Sequence, residues 1–244
     1  MAEIYWTLVD APAKSLAGSG GFLSESELEK LSTLRFPKRR DEWLLGRWAA
    51  KSLVHSMPTY QHYSLEEIEI RNAPEGAPYI RPPGEAASPD CLSISHRDRS
   101  ALCALTMGSG LRVGVDLEKI EPRSTAFVAD YFTPAEQALA NAGQAGTSQA
   151  VVTLIWSAKE AMLKALGVGL RWDTRRVEVR EIAGSPPEDG PQDQWQKLQV
   201  ADQERPGRSW QAWWQRRGPF ILTLTSFATG PADNPAAWLV EKSV

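Results

Sequence analysis

The segment that most restricts how this chain can fold is Val113-Gly114-Val115-Asp116-Leu117-Glu118-Lys119. Its apolar residues, Val113, Val115 and Leu117, recur at every second position, the period of a strand with one buried face. Gly114, Asp116 and Glu118 fall on the other face, so two carboxylates stand roughly 6.6–7 Å apart on one side of the strand. Like charges so placed repel, and a shared divalent cation removes that cost. A second segment, Trp156-Ser157-Ala158-Lys159-Glu160-Ala161-Met162-Leu163-Lys164, reads as a helix and puts Glu160 and Lys164 one turn apart on one face. A third carboxylate beside a lysine is what a Mg²⁺–phosphate site needs. Taken singly, each fragment reads more simply as surface: an acidic strand edge and an i,i+4 ion pair.

The rest of the chain bears on that choice. Its 244 residues suit one large or two small domains. A net charge of −3 gives no support to a protein that wraps nucleic acid. Cys91 and Cys103 lie in alternating apolar contexts, as small buried hydrophobes of a reducing compartment rather than a disulfide framework. The N-terminus has acids and a tryptophan but no basic region or long apolar run, so no signal peptide is expected. No segment approaches ~18 uninterrupted apolar residues, so no membrane span is expected either. The expectation is a cytosolic globular protein. Ten tryptophans are many for this length, and Trp195, Trp210, Trp213, Trp214 and Trp238 are read as core or interface packing.

Along the chain, Ile4–Val9 reads as a first strand, and a glycine-serine loop follows at Ala17–Gly21. Ser24-Glu25-Ser26-Glu27 has the form of a capping box ahead of Leu28, Leu31 and Leu34. Pro37 then opens a longer helix with Lys38-Arg39-Arg40 in its first turn, where positive charge opposes the helix dipole. Arg40, Arg47 and Lys51 fall within about 40° of one another around that helix. A cationic stripe set against its own dipole fits a bound anion as well as a solvated face. Glu66–Arg71, Cys91–Ser95 and Ser100–Thr106 read as strands, with a turn at Asn72–Pro78, a Pro/Gly-rich loop at Arg81–Pro89, and His96 at a strand end beside a basic loop.

Phe127–Ala140 reads as helix, break, helix, with Thr133 as cap and Glu136 at its N3 position; that capping role competes with a site role for Glu136. Asn141–Ser148 is expected to be a flexible connection. Val151–Leu166 is the long helix, closed by Gly167-Val168-Gly169. Arg176–Ile182, Trp210–Gln215 and Phe220–Phe227 are strands, Gly184–Gln194 a mobile loop, and the tail beyond Gly230 carries no nameable chemistry. The order predicts an α+β chain of two comparable units, 1–110 and 111–244.

Three carboxylates, two from a strand and one from a helix, can hold one hard cation and leave positions open for phosphate oxygens. Lys164 would neutralise phosphate there, and the cationic stripe would take another phosphate farther off. No Gly-x-x-x-x-Gly-Lys loop is present, which excludes a P-loop enzyme. The residues alone go no further than phosphoryl-type transfer on a ligand with several phosphates.

The order Arg39-Arg40…Leu44-Leu45-Gly46-Arg47, Glu75-Gly76-Ala77-Pro78, Ser93-Ile94-Ser95-His96, Gly114-Val115-Asp116-Leu117-Glu118, Phe132-Thr133-Pro134-Ala135-Glu136 and Trp156–Lys164 resembles the Sfp-type 4′-phosphopantetheinyl transferases. The resemblance runs from about residue 35 to 170. It implies two similar α+β halves related by pseudo-twofold symmetry, with the active site in the cleft between them, in a cytoplasmic monomer. It implies transfer of the 4′-phosphopantetheine arm of coenzyme A to a serine of an apo acyl or peptidyl carrier protein, in fatty acid, polyketide or nonribosomal peptide synthesis.

By the same resemblance Asp116, Glu118 and Glu160 are ligands of Mg²⁺, with Mn²⁺ as a substitute. Lys164 and His96 contact phosphates, with Ser95 and Lys159 beside them. Arg47, with Arg39 or Arg40, meets the 3′-phosphate or diphosphate, and Gly76 lies in the coenzyme A loop. Glu160 is the expected base, with Glu136 as a contributor. The family's Gly-Lys-Pro and Gly-Lys-Gly are here Gly76-Ala77-Pro78 and Gly167-Val168-Gly169, so two cationic contacts are missing. The competing readings are a Mg²⁺-dependent nuclease or phosphodiesterase, and a non-catalytic nucleotide- or carrier-binding module. Neither a nucleic-acid nor a membrane partner is expected.

Overall fold

Ser24 starts the first helix because its hydroxyl accepts from Glu27 N while the Glu27 carboxylate accepts from Ser24 N. The computed structural model describes residues 2–10, 21–108, 110–142, 149–184, 192–230 and 237–244. The loop expected at Ala17–Gly21 (Gly21 apart), residues 143–148 of the expected connection and most of Gly184–Gln194 lie outside the described residues. No helix among the described residues is long and apolar enough to cross a membrane.

The chain divides into two units, Met1–Val113 with Pro235–Val244, and Gly114–Asn234. Unit 1 holds β1 (Ala2–Asp10), α1 (Glu25–Ser32), α2 (Pro37–His55), the hairpin β2 (Glu69–Asn72) and β3 (Pro78–Arg81), β4 (Cys91–Arg97) and β5 (Ser100–Thr106). The strand β6 (Leu111–Lys119) begins there. A final strand, β11 (Ala237–Glu241), pairs in parallel with β1 and completes a sheet of order β11-β1-β5-β4. The α2 helix lies on this sheet through Leu45, Ala49 and Leu53, which join Ile68, Ile80, Cys103 and Leu105 in one core.

Unit 2 continues β6 and adds α3 (Thr125–Tyr131), α4 (Pro134–Asn141), α5 (Gln149–Ala165) and four strands. These are β7 (Val177–Ile182), β8 (Gln192–Asp202), β9 (Trp210–Arg217) and β10 (Phe220–Ala228), in a sheet of order β6-β10-β9-β8-β7. Leu154, Ile155 and Ala158 of α5 pack with Val179, Trp214 and Ile221. Trp213 and Trp214 are core residues, whereas Trp238 is 60 % exposed. Both units are therefore a long helix on a mainly antiparallel sheet, the α+β class.

The same buried device keys each unit. In unit 1 the capping-box Glu27 accepts from Lys51 Nζ on α2 and from Ile70 N on β2 at 3.2 Å, while Lys51 Nζ also donates to Phe22 O at 2.6 Å. In unit 2 Thr133 and Glu136 form the capping box. Glu136 accepts from Lys159 Nζ on α5 at 2.5 Å and from Val179 N on β7 at 2.8 Å, and Lys159 Nζ donates to Val177 O at 2.8 Å. All four side chains are buried. Removing one partner strands a buried charge, so Lys159→Met is expected to cost about 3 kcal/mol. Urea unfolding checks this; a loss below about 1 kcal/mol would contradict the pairing.

Two differences from the sequence expectations follow from pairing. The β8 strand was expected as loop up to Gln194, because Gln and Asp dominate Gln192–Gln199; it forms between β7 and β9, which supply its backbone partners. The β11 strand is short but has β1 to pair with.

Candidate metal and phosphate site

In unit 2, β6 and α5 approach closely because Gly114 has no side chain. A Cβ there would stand 2.0 Å from Ala161 O and 2.6 Å from Ala165 N. Asp116 and Glu118, on the same strand face as Gly114, thereby meet Glu160 on the helix. One carboxylate oxygen from each of the three lies within 4.8 Å of the others. Asp116 is 2 % and Glu118 9 % exposed. Lys164 Nζ, one turn beyond Glu160, is 2.7 Å from Asp116 Oδ1. Arg123 Nη2 is 3.2 Å from Glu118 Oε2, and its guanidinium lies 5.0 Å from the centre of the Phe127 ring.

Three carboxylates face two cations, so negative charge is in excess. Burial first, and the Asp116 charge next, push Glu160 up to about 8. Burial pulls the Lys164 ammonium down, but Asp116 and Glu160 more than reverse that and leave it raised. A hard divalent cation suits this donor set: three oxygen ligands, close enough to share it, leave the rest of its shell open.

Glu136 and Lys159 do not join this cluster, contrary to the sequence expectation. Both are fully buried. Glu136 uses Oε2 for Thr133 N and Lys159 Nζ, and Oε1 for Val179 N. Burial pushes Glu136 up and Lys159 down, and each opposes the shift of the other. Their charges compensate internally, so neither faces a ligand.

Unit 1 carries a separate cationic pocket of about 170 Å³, lined by Trp43, Gly46, Arg47, Asn72, Gly76, Pro78, Ile94 and His96. Gly76 turns the β2–β3 hairpin with φ +95°, a backbone that side chains rarely adopt. Arg47 is 6 % exposed, donates from Nη2 to Asn72 Oδ1 at 2.7 Å, and lies 5.0 Å from the Trp43 ring centre. Its Nε and Nη1 have no hydrogen-bond acceptor among the described residues. A buried guanidinium with two nitrogens to spare suits an anion. Arg39 and His96 line a neighbouring surface cavity of about 500 Å³. Arg40 is exposed and lines neither, and Ser95 is buried. Lys51, expected in the cationic stripe, is instead spent on Glu27 inside the core.

Sequence reasoning missed Gly114 as the point of close approach, and missed Trp43, Asn72 and Arg123. Trp43 stands one turn before Arg47, a spacing that could have signalled the stacking. Asn72 and Arg123 carried no comparable signal.

The comparisons with known proteins bear on the same residues. The family model described as the 4′-phosphopantetheinyl transferase superfamily matches residues 112–223. The 4′-phosphopantetheinyl transferase HetI of Nostoc sp. is 28 % identical over 184 residues, 74 % of this chain and 73 % of HetI. The phosphopantetheinyl transferase of Thraustochytrium sp. is 30 % identical over 168 residues, 64 % of this chain and 56 % of that protein. The 4′-phosphopantetheinyl transferase Sfp of Bacillus subtilis is 25 % identical over 182 residues, 73 % of this chain and 76 % of Sfp. The segment similar to that superfamily, residues 112–223, holds all three carboxylates and Lys164.

Proposed function

We propose that this chain transfers the 4′-phosphopantetheine arm of coenzyme A to a serine of an apo acyl or peptidyl carrier protein and releases adenosine 3′,5′-bisphosphate. The observation that carries this reading is the convergence of Asp116, Glu118 and Glu160 beside Lys164, inside the matched segment. These carboxylates would hold Mg²⁺, or Mn²⁺ in its place. The cation would neutralise the diphosphate and polarise its oxygens.

Lys164 adds a second positive charge at the same phosphates. The serine oxygen forms a new P–O bond at the β-phosphorus; the bond to the bridging oxygen breaks, and the electron pair leaves with adenosine 3′,5′-bisphosphate. Glu160 would take the serine proton, since Glu136 is locked in its own pair. Arg47, with Gly76 and His96, would bind a nucleotide phosphate; Arg39 and Arg40 would supply flanking charge. The net charge of −3 and two buried free cysteines support a cytoplasmic enzyme without a nucleic-acid partner, and the motif resemblance given above implies a monomer.

Chromatographic detection of adenosine 3′,5′-bisphosphate, formed only when coenzyme A and an apo carrier are both present, tests the reaction. Its formation without a carrier would favour a phosphodiesterase instead. For Arg47→Ala we expect a coenzyme A KM raised about 10- to 30-fold with kcat within about 2-fold, because a contact remote from the breaking bond binds ground and transition states alike. An unchanged KM would remove Arg47 from the site.

Glu160 also predicts a proton linkage. A carboxyl raised from 4.5 to about 8 is protonated at pH 7 in the metal-free protein, and a cation ligand must lose that proton. Close to one proton should leave per cation bound at pH 7, and apparent affinity should rise about tenfold per pH unit until it levels off near pH 8. Titration calorimetry in buffers of different ionisation heat measures it. Cation binding with no proton release would show that Glu160 is not a ligand.

A further inference from the structure

Burial pulls the Arg47 guanidinium below its ordinary value, and the first charge that pushes it back up is Glu27. Glu27 reaches it from another element, with Oε1 3.9 Å from Arg47 Nε. On the other side Asn72 Oδ1 accepts from Arg47 Nη2 at 2.7 Å, and Asn72 is itself fixed by donating from Nδ2 to Gly76 O at 2.8 Å. Unit 2 shows the same device without an arginine. Glu136 and Lys159 repeat Glu27 and Lys51, but the position one turn before Lys159 is Ile155, a core residue. Capping the helix and keying it to the strand thus need only the glutamate and the lysine. Arg47 is an addition peculiar to unit 1, and since Lys51 already balances Glu27, its charge is left for a ligand.

We propose that Glu27 and Asn72 are positioning residues that hold the Arg47 guanidinium, with its uncompensated charge, for a phosphate of a nucleotide ligand. This rests on the reading of the unit 1 pocket given above, in which that phosphate belongs to coenzyme A. The probe is adenosine 3′,5′-bisphosphate, bound to the metal-free full chain and followed by calorimetry, so that the carboxylate cluster of unit 2 plays no part.

Arg47→Ala should weaken binding about 30-fold, and Glu27→Gln and Asn72→Ala each about 10-fold. Because they act through Arg47, each combined with Arg47→Ala should bind no more weakly than Arg47→Ala alone. Glu136→Gln makes the same change in unit 2; it should lose comparable stability while affinity stays within about 2-fold. Asn72 is exposed, so Asn72→Ala decides the matter if Glu27→Gln does not fold. Additive losses, or a Glu136→Gln that weakens binding as much as Glu27→Gln, would overturn the proposal. Loss in Arg47→Ala without loss in Glu27→Gln or Asn72→Ala overturns it while leaving the pocket's role standing. An Arg47→Ala that binds as wild type overturns both.

Discussion

Asp116→Ala is expected to lower kcat/KM for carrier modification by at least about 1,000-fold, the scale of losing a preorganised electrostatic contact in the transition state. Asp116 is both the partner of Lys164 and the carboxylate whose charge, after burial, does most to raise Glu160. Its removal takes away one of three oxygens that could share a cation and releases Lys164 from its ion pair. Folding should suffer far less, within about 1 kcal/mol, because the lost ion pair is offset by relief of repulsion among the carboxylates. The two effects separate in one experiment. The wild type should gain thermal stability from Mn²⁺ and the variant should not, while their metal-free melting temperatures stay close. A variant that retains near-wild-type turnover would show that the carboxylate cluster is not the site.

Gly114→Ala is expected to act in the opposite way, through the fold. A methyl group at 2.0 Å from Ala161 O cannot be absorbed by a side-chain rotation, since both nearest atoms belong to the helix backbone. Either β6 or α5 must move. We expect a loss of about 4 kcal/mol, or roughly 15 °C in melting temperature, at the upper end for overpacking. The displacement also parts Glu160 from Asp116 and Glu118, so whatever folds should bind Mn²⁺ weakly. An alanine variant with an unchanged melting temperature would mean that strand and helix lie farther apart than described.

These two residues mark what the sequence could and could not convey. Asp116 and Glu118 were legible because a strand's period of two fixes which side chains share a face, and Glu160 and Lys164 because a helical turn does the same. That strand and helix meet depends on the room left at Gly114, which no local periodicity reports. Lys51 shows the limit differently. Its angle around α2 was read correctly relative to Arg40 and Arg47, but angle carries no information on depth, and α1 brings Glu27 over it. Glu136 was legible as a cap; its pairing with Lys159, 23 residues on, was not. The β8 and β11 strands stayed hidden because their strand character comes from neighbours rather than from their own apolar content.

The central claim is that a divalent cation at Asp116, Glu118 and Glu160 supports transfer of phosphopantetheine to a carrier protein. Intact-mass analysis of apo acyl and peptidyl carrier proteins, incubated with this chain, coenzyme A and Mg²⁺, tests it most directly. The account predicts a gain of one phosphopantetheine on the carrier with Mg²⁺, none with a chelator in its place, and none with Asp116→Ala. A carrier that gains the mass equally with the chelator, or no gain on any carrier of either class, would contradict it.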